Sequence, residues 1–258
     1  EQKILKAIPS NLEKLSIDYI PLKPFNLVGI DHLRLLLNRE NLSFETLITP
    51  EAINVTVPNL ATMVEKLAQK DTGLLMLMGK GGVGKTTMAA AIAVKLAQMG
   101  KQVHLSTSDP AAHLASTLND EALSNLTISR IDPIAETERY RGEVMKRHGD
   151  NLSDSEKAVL EEDLRSPCTE EIAIFQAFSR IIRESSKKIV VMDTAPTGHT
   201  LLLLDATGAY HNEVIKQMGS KGVTTPMMQI QDPDKTKIII VTLAETTPIT
   251  EAQHLEED

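Results

Sequence analysis

The chain has no tryptophan, and aromatic residues are limited to three Tyr and four Phe among 258 positions. Surfaces that stack on bases or sugar rings are built from aromatic side chains, so the composition argues against an RNA- or sugar-stacking role. A single cysteine, Cys168, rules out an internal disulfide framework and fits a cytosolic setting. No apolar run approaches the length of a membrane span and no signal peptide opens the chain. The protein is therefore expected to be soluble by itself, with docking onto a membrane partner left open. Positive charge is also in deficit: the formal net charge of −8 argues against a nucleic-acid partner.

What is present is apolar and ordered. Hydrophobic residues make up 41% of the chain, enough for one large domain or one domain plus part of another. Residues 79–87 read Gly79-Lys80-Gly81-Gly82-Val83-Gly84-Lys85-Thr86-Thr87, directly after the run Leu74, Leu75, Met76, Leu77, Met78. This is the P-loop pattern G-x-x-x-x-G-K-[ST], placed between a buried strand and a helix that runs on to Gly100. Its glycines let backbone N–H groups turn inward on a phosphate, and the helix N-terminus adds positive potential. Lys85 is expected to reach the terminal phosphates of ATP and Thr86 to ligate Mg²⁺. Lys80, a second lysine inside the loop, is not required by ordinary P-loops.

Beyond the loop, strands are expected at 73–78, 102–107, 187–192 and 236–243, with helices between them. Such alternation predicts an α/β fold, a mostly parallel sheet flanked by helices on both faces. Residues 120–185 read as a longer insertion, mainly helical and charged. Pro58 fits the first turn of a helix carrying Leu60, Met63, Val64 and Leu67. Upstream, residues 1–15 look helical, 17–22 look like a short strand, Gly29 to Leu37 opens another helix, and 39–57 is polar and extended. The chain starts at Glu1 and stops in the helix-like stretch 251–258 without a capping signal. It reads as an internal fragment of a longer protein.

Three further segments carry chemistry. Asp193 ends a hydrophobic strand, where P-loop proteins place an aspartate near Mg²⁺, directly or through water; capping the next turn is the plainer alternative. Pro196 and Gly198 behind it suggest a turn able to reposition when the terminal phosphate leaves. Asp109 follows the strand at 102–107, on the side where open α/β sheets bind ligands, and its pre-proline position keeps it out of helical geometry. It can orient or deprotonate an attacking water, or be a turn aspartate. Ser166 and Pro167 read as the N-cap and first residue of a helix, which puts Cys168 in the first turn. A thiol there suits a soft, thiophilic ion, although a lone cysteine is more commonly a small buried hydrophobe. His113 and His199 each follow one of these segments and read equally as hydrogen-bonding residues. The run Glu161, Glu162, Asp163 reads as a solvated helix end.

Together, GKGGVGKTT at 79–87, SDPAAH at 108–113, DLRSPCTEEIAIFQAF at 163–178 and DTAPTGHTLLLLDATGAYH at 193–211 resemble the arsenite-pump ATPases. That resemblance is strong from about residue 73 onward. It implies a P-loop NTPase of the deviant Walker A class, in which two homologous halves share one chain. Residues 1–38 would then be the C-terminal remnant of the preceding half, 39–57 the linker, and 58–258 most of the second half. It further implies that Lys80 crosses to nucleotide bound by the opposite half, much as an arginine finger does. Cys168 and His199 match positions that hold As(III) or Sb(III) in the family, the remaining thiols lying in the other half. Adenine contacts would lie past residue 258. The implied partners are the opposite ATPase half, an integral membrane arsenite pump and a metallochaperone, at the cytoplasmic side of the inner membrane. The tail-anchored-protein targeting ATPases share the loop and DTAPTGHT, but the path from Thr200 to Lys237 is short for their helical subdomain. Partition ATPases share Lys80 and lack DTAPTGHT.

Overall fold

The computed structural model describes residues 57–108, 123–148, 152–195, 197–218 (backbone alone at 197–199 and 217–218) and 224–257, with a few isolated positions before residue 57. The chain divides into two compact units, Glu1–Ile53 and Asn54–Asp258. All elements named below lie in the second. The helix and strand expected before residue 38, and the linker at 39–57, fall outside the described residues apart from those positions.

Helix α1 (Leu60–Leu67) starts on Asn59, whose side chain accepts the Thr62 N–H at 2.9 Å. Pro58 therefore sits just before the N-cap and not in the first turn, because the asparagine is the better cap. Strand β1 (Gly73–Met78) leads into α2 (Lys85–Gln98), which stops where Gly100 adopts a φ of 84°. β2 (Val103–Thr107), β3 (Leu126–Arg130), α3 (Pro133–His148), α4 (Asp154–Asp163) and α5 (Pro167–Glu184) follow. The order then continues through β4 (Ile189–Asp193), α6 (Thr197–Met218), α7 (Pro226–Ile230), β5 (Thr236–Ile240) and α8 (Thr246–Glu257).

The five strands form one sheet in the order β3-β2-β4-β1-β5, every pair parallel. The expected α/β architecture is thus present, with three corrections. β3 lies inside what reads as a helical insertion; as an edge strand half open to solvent, it lacks a continuous apolar run. Just before it, the Asn125 amide donates to the carbonyls of Ala97 and Lys101 at 2.7 Å each, tying the start of the strand to the turn after α2. Gly198 lies in the first turn of α6 and not in a free turn, and β4 starts only at Ile189, after Lys187 and Lys188 have closed the turn from α5.

Both faces of the sheet are covered, which is why β1 and β4 are apolar without alternation. One face buries Leu75, Leu77, Leu105 and Val191 beneath Ala89, Ile92 and Leu96 of α2. The other buries Leu74, Met76, Val190 and Met192 beneath Ala177, Phe178 and Ile182 of α5, with Leu203 of α6 in the same cluster. The C-terminal ends of β1, β2 and β4 meet in register, since Asp193 pairs with Leu77 on one side and Thr107 on the other.

Candidate functional site

That meeting point is built from the loop upward. Gly79 leaves β1 with a φ of 144°, and a Cβ there would lie 2.2 Å from the Val241 carbonyl oxygen. Only glycine fits so close an approach of two backbones. Gly82 and Gly84 also have positive φ, 82° and 96°, and Gly84 is the N-cap of α2. The turn they make returns the chain into the helix with its first N–H groups unused by the helix itself, a geometry suited to anions.

Lys85, the first residue of α2, is only 6% exposed. Its Nζ folds back over the loop and donates to the Lys80 carbonyl at 3.0 Å. The neighbouring Thr86 hydroxyl donates to Asp193 Oδ2 at 2.8 Å, and the Thr107 hydroxyl reaches the same oxygen at 3.1 Å. Asp193 is fully buried, so α2, β2 and β4 are tied together through one carboxylate. A hydroxyl and a carboxylate in contact are hard oxygen donors, the set that Mg²⁺ prefers. Thr86 would hold the ion directly, with Asp193 beside it. Lys80 points elsewhere: half-exposed, its Nζ lies 3.6 Å from Glu251 Oε1 on α8.

Four residues that the sequence did not single out complete this corner. Ser108, just past β2, donates its backbone N–H to the Asp193 carbonyl at 3.0 Å, and its Oγ accepts the Ala195 N–H at 3.1 Å. The Thr194 hydroxyl donates to the Leu77 carbonyl at 2.6 Å, and the Thr200 hydroxyl to the Ala195 carbonyl at 2.8 Å. With Thr107, these buried hydroxyls pin the Asp193–Ala195 segment to the ends of β1 and β2. Ser108 and Thr194 each adjoin an aspartate, and Thr107 and Thr200 lie within a few residues of one or of the DTA run; that proximity was the available signal. Asp109, His113 and Pro196 lie outside the described residues.

Cys168 occupies the second position of α5, and its N–H donates to the Ser166 Oγ at 3.3 Å. The predicted Ser-Pro start is present. Cys168 is exposed, which overturns its reading as a small buried hydrophobe. His199 lies in the first turn of α6, with its side chain outside the described residues. Among the described residues no group of three His, Cys, Asp or Glu side chains is placed to hold a metal ion. The acidic run Glu161 to Asp163 is an exposed helix end, as expected.

The model of the anion-transporting ATPase family matches residues 72–231, from the strand before the loop through α7. The chain belongs to the anion-transporting ATPase family. Its P-loop NTPase fold follows from that membership and from the parallel sheet. An "Arsenical pump-driving ATPase" of Acidiphilium multivorum is 58% identical over this whole chain, which covers 44% of that protein. One from Escherichia coli gives the same identity and coverage. An "ATPase GET3" of Malassezia globosa is 29% identical over 65% of the chain and covers 52% of that protein. The chain thus spans less than half the length of the curated pump-driving relatives it matches.

Proposed function

We propose that this chain is the nucleotide-binding part of an ATPase subunit that energises extrusion of arsenite or antimonite through an integral membrane pump. The observation that carries the reading is the buried Asp193 carboxylate joined to Thr86 of a loop that also displays Lys80. On this reading the loop N–H groups and Lys85 bind the β- and γ-phosphates of ATP, the substrate. Mg²⁺, held by Thr86 with Asp193 beside it, supplies electrostatic stabilisation of the phosphoryl oxygens when bound. Asp109 orients a water whose oxygen attacks the γ-phosphorus in line, and the bond to the β-phosphate oxygen breaks to release ADP and phosphate.

Lys80 completes the site in trans, contacting the nucleotide of the opposite half. For this it must leave Glu251. Metalloid, the cargo, binds Cys168 and His199 together with thiols of the opposite half, and thereby favours the closed pair. Closure is linked to hydrolysis only if metalloid prefers the closed state. The domain reading accompanies this: residues 1–38 as the end of the first half, 39–57 as linker, 58–258 as the second half. The protein would work in the cytoplasm, held at the inner membrane by the pump, with a metallochaperone delivering metalloid. No helix among the described residues is long and apolar enough to cross a membrane. The more distant similarity to the GET3 protein gives no ground for preferring a targeting role.

The test is ATPase activity of the full-length protein with and without antimonite. Cys168→Ser should remove most of the metalloid stimulation and leave basal turnover. Unchanged stimulation would sink the assignment. Lys80→Met should lower turnover in the full-length protein, and the isolated chain, lacking its opposite half, should bind ATP weakly and turn over little.

A further inference from the structure

The two faces of the sheet differ at one strand. Toward α2, β1, β2 and β4 all present apolar side chains: Leu75, Leu77, Val103, Leu105, Ile189 and Val191. Toward α5, β1 and β4 present Leu74, Met76, Val190 and Met192, whereas β2 presents His104 and Ser106. Ser108 continues that period of two just beyond the strand. All three are buried, at 5%, 0% and 6% exposure. Apolar side chains would fill this space without desolvating polar groups, so the row is expensive relative to its neighbours.

The row is also connected at both ends. His104 Nδ1 lies 2.9 Å from Oε2 of Glu184, the last residue of α5, and carries the proton there because a carboxylate only accepts. His104 Nε2, the unprotonated ring nitrogen, accepts from the Ser129 Oγ of β3 at 2.7 Å, and that oxygen lies 3.0 Å from Ser106 Oγ. Lys188 adds an ion pair to the same Glu184 oxygen at 3.1 Å. At the other end, Ser108 holds Ala195 and Asp193 of the nucleotide corner. Helix α5 therefore begins with exposed Cys168 and ends, roughly 24 Å of helix later, clamped to the strand that runs to that corner.

We propose that His104 is a positioning residue that fixes the C-terminal end of the Cys168 helix to β2, so that a shift of this helix on metalloid binding reaches the Asp193–Ala195 segment. The inference rests on Cys168 being a metalloid ligand. A rigid helix held at one end transmits displacement; one released from its strand moves without it.

The experiment uses the full-length protein carrying His104→Leu, which refills the space, or His104→Gln should the leucine variant fail to fold. Basal ATPase, antimonite stimulation, thermal midpoint, and antimonite affinity with and without a non-hydrolysable ATP analogue are measured. The expected result is unchanged basal turnover with stimulation reduced about fivefold or more. Because coupling of binding is reciprocal, the tightening of antimonite binding by the analogue should shrink as well. Glu184→Gln, which keeps a hydrogen-bond acceptor for the ring, should retain most of the stimulation. Full stimulation in the His104 variants overturns the proposal, as does basal turnover that falls in step with the thermal midpoint while the stimulation ratio holds. Loss of stimulation in Cys168→Ser alongside full stimulation in the His104 variants counts against His104 alone. Stimulation intact in Cys168→Ser counts against the metalloid reading itself.

Discussion

The nucleotide corner and the start of the Cys168 helix are both candidate binding sites, but they are held in opposite ways. At the corner, β1, β2, β4 and α2 converge, and Asp193 accepts from two different elements while its backbone carbonyl takes the Ser108 N–H. The Asp193–Ala195 segment is thereby tied to α2, β1 and β2 at once. Cys168 owes its place to local capping by Ser166 and Pro167, and it faces solvent. The contrast matches the two proposed tasks: phosphoryl transfer needs donors fixed in advance, whereas a ligand set shared between halves must be reachable before closure. If the contrast is sound, a change of shape at the corner should disturb fold and chemistry together, and a change at the helix start should separate them.

The largest effects are therefore expected at the corner. Gly79→Ala forces a Cβ against the Val241 carbonyl at a φ of 144° and should cost about 3 kcal/mol, seen as a lower denaturant midpoint together with lost ATP binding. Asp193→Asn keeps an acceptor for Thr86 and Thr107 but removes the charge beside the ion. Turnover should drop about 100-fold or more with a small change in thermal midpoint. An Asn variant with ordinary turnover would break the assignment of Asp193 to the ion.

Next in size is a pH effect from the face beneath α5. Burial pulls His104 below its ordinary value of 6.5, against the raising influence of Glu184 and with help from Lys188. Burial would by itself raise Glu184, but its hydrogen bonds and charge contacts with Lys188 and His104 outweigh this and hold it below 4.5. For both groups the unfolded chain takes up the proton first as pH falls. Stability should be fully present above pH 6.5, decline as pH falls through the folded value of His104, and decline again below 4.5 as Glu184 is protonated. Thermal midpoints measured across pH 4 to 8 should show the upper decline in the parent and lose it in His104→Leu. A parent midpoint that stays flat from pH 7 to 5 would contradict it.

Much of the corner was legible because its signals are local. A glycine-rich loop with Lys85 and Thr86 after an apolar run, and Asp193 at the end of Ile189-Val190-Val191-Met192, can be read without knowing the tertiary pairing. The buried hydroxyls were not legible, since Thr107, Ser108, Thr194 and Thr200 acquire their partners only when strands distant in sequence come together. β3 was missed because Leu126-Thr-Ile-Ser-Arg130 is short and half-exposed; its parallel pairing to β2 is a long-range contact that no hydrophobic pattern announces. Gly198 was misplaced because α6 begins at Thr197, only four residues past Asp193, and tertiary context outweighed glycine's weak helix propensity. The Ser166–Pro167 start was read correctly because capping is a property of consecutive residues.

At the helix start the expected effect is smaller. Ser166→Ala removes the cap that accepts the Cys168 N–H and should cost about 1 kcal/mol, measured by denaturant unfolding. Antimonite affinity in the full-length protein should weaken as the first turn of α5 frays, with ATP affinity unchanged. Weakened ATP affinity of the same size would show that the two regions are not separately held.

The smallest effect is expected where the contrast bends. Lys80 belongs to the corner by sequence, yet it is held as loosely as Cys168, by one ion pair at 3.6 Å between side chains 41% and 46% exposed. Such pairs contribute about 0–1 kcal/mol and are screened by salt. Glu251→Gln should accordingly leave the thermal midpoint of this chain within error, unlike Gly79→Ala at the position next to Lys80. In the full-length protein, freeing Lys80 from its partner on α8 should modestly raise basal ATPase at low ionic strength, with the difference vanishing at high salt. A fall in turnover would instead make Glu251 part of the nucleotide site. The residues assigned to work across the interface, Lys80 and Cys168, would then no longer share the property of being lightly held, and the division of the molecule into a fixed corner and reachable contacts would have to be redrawn.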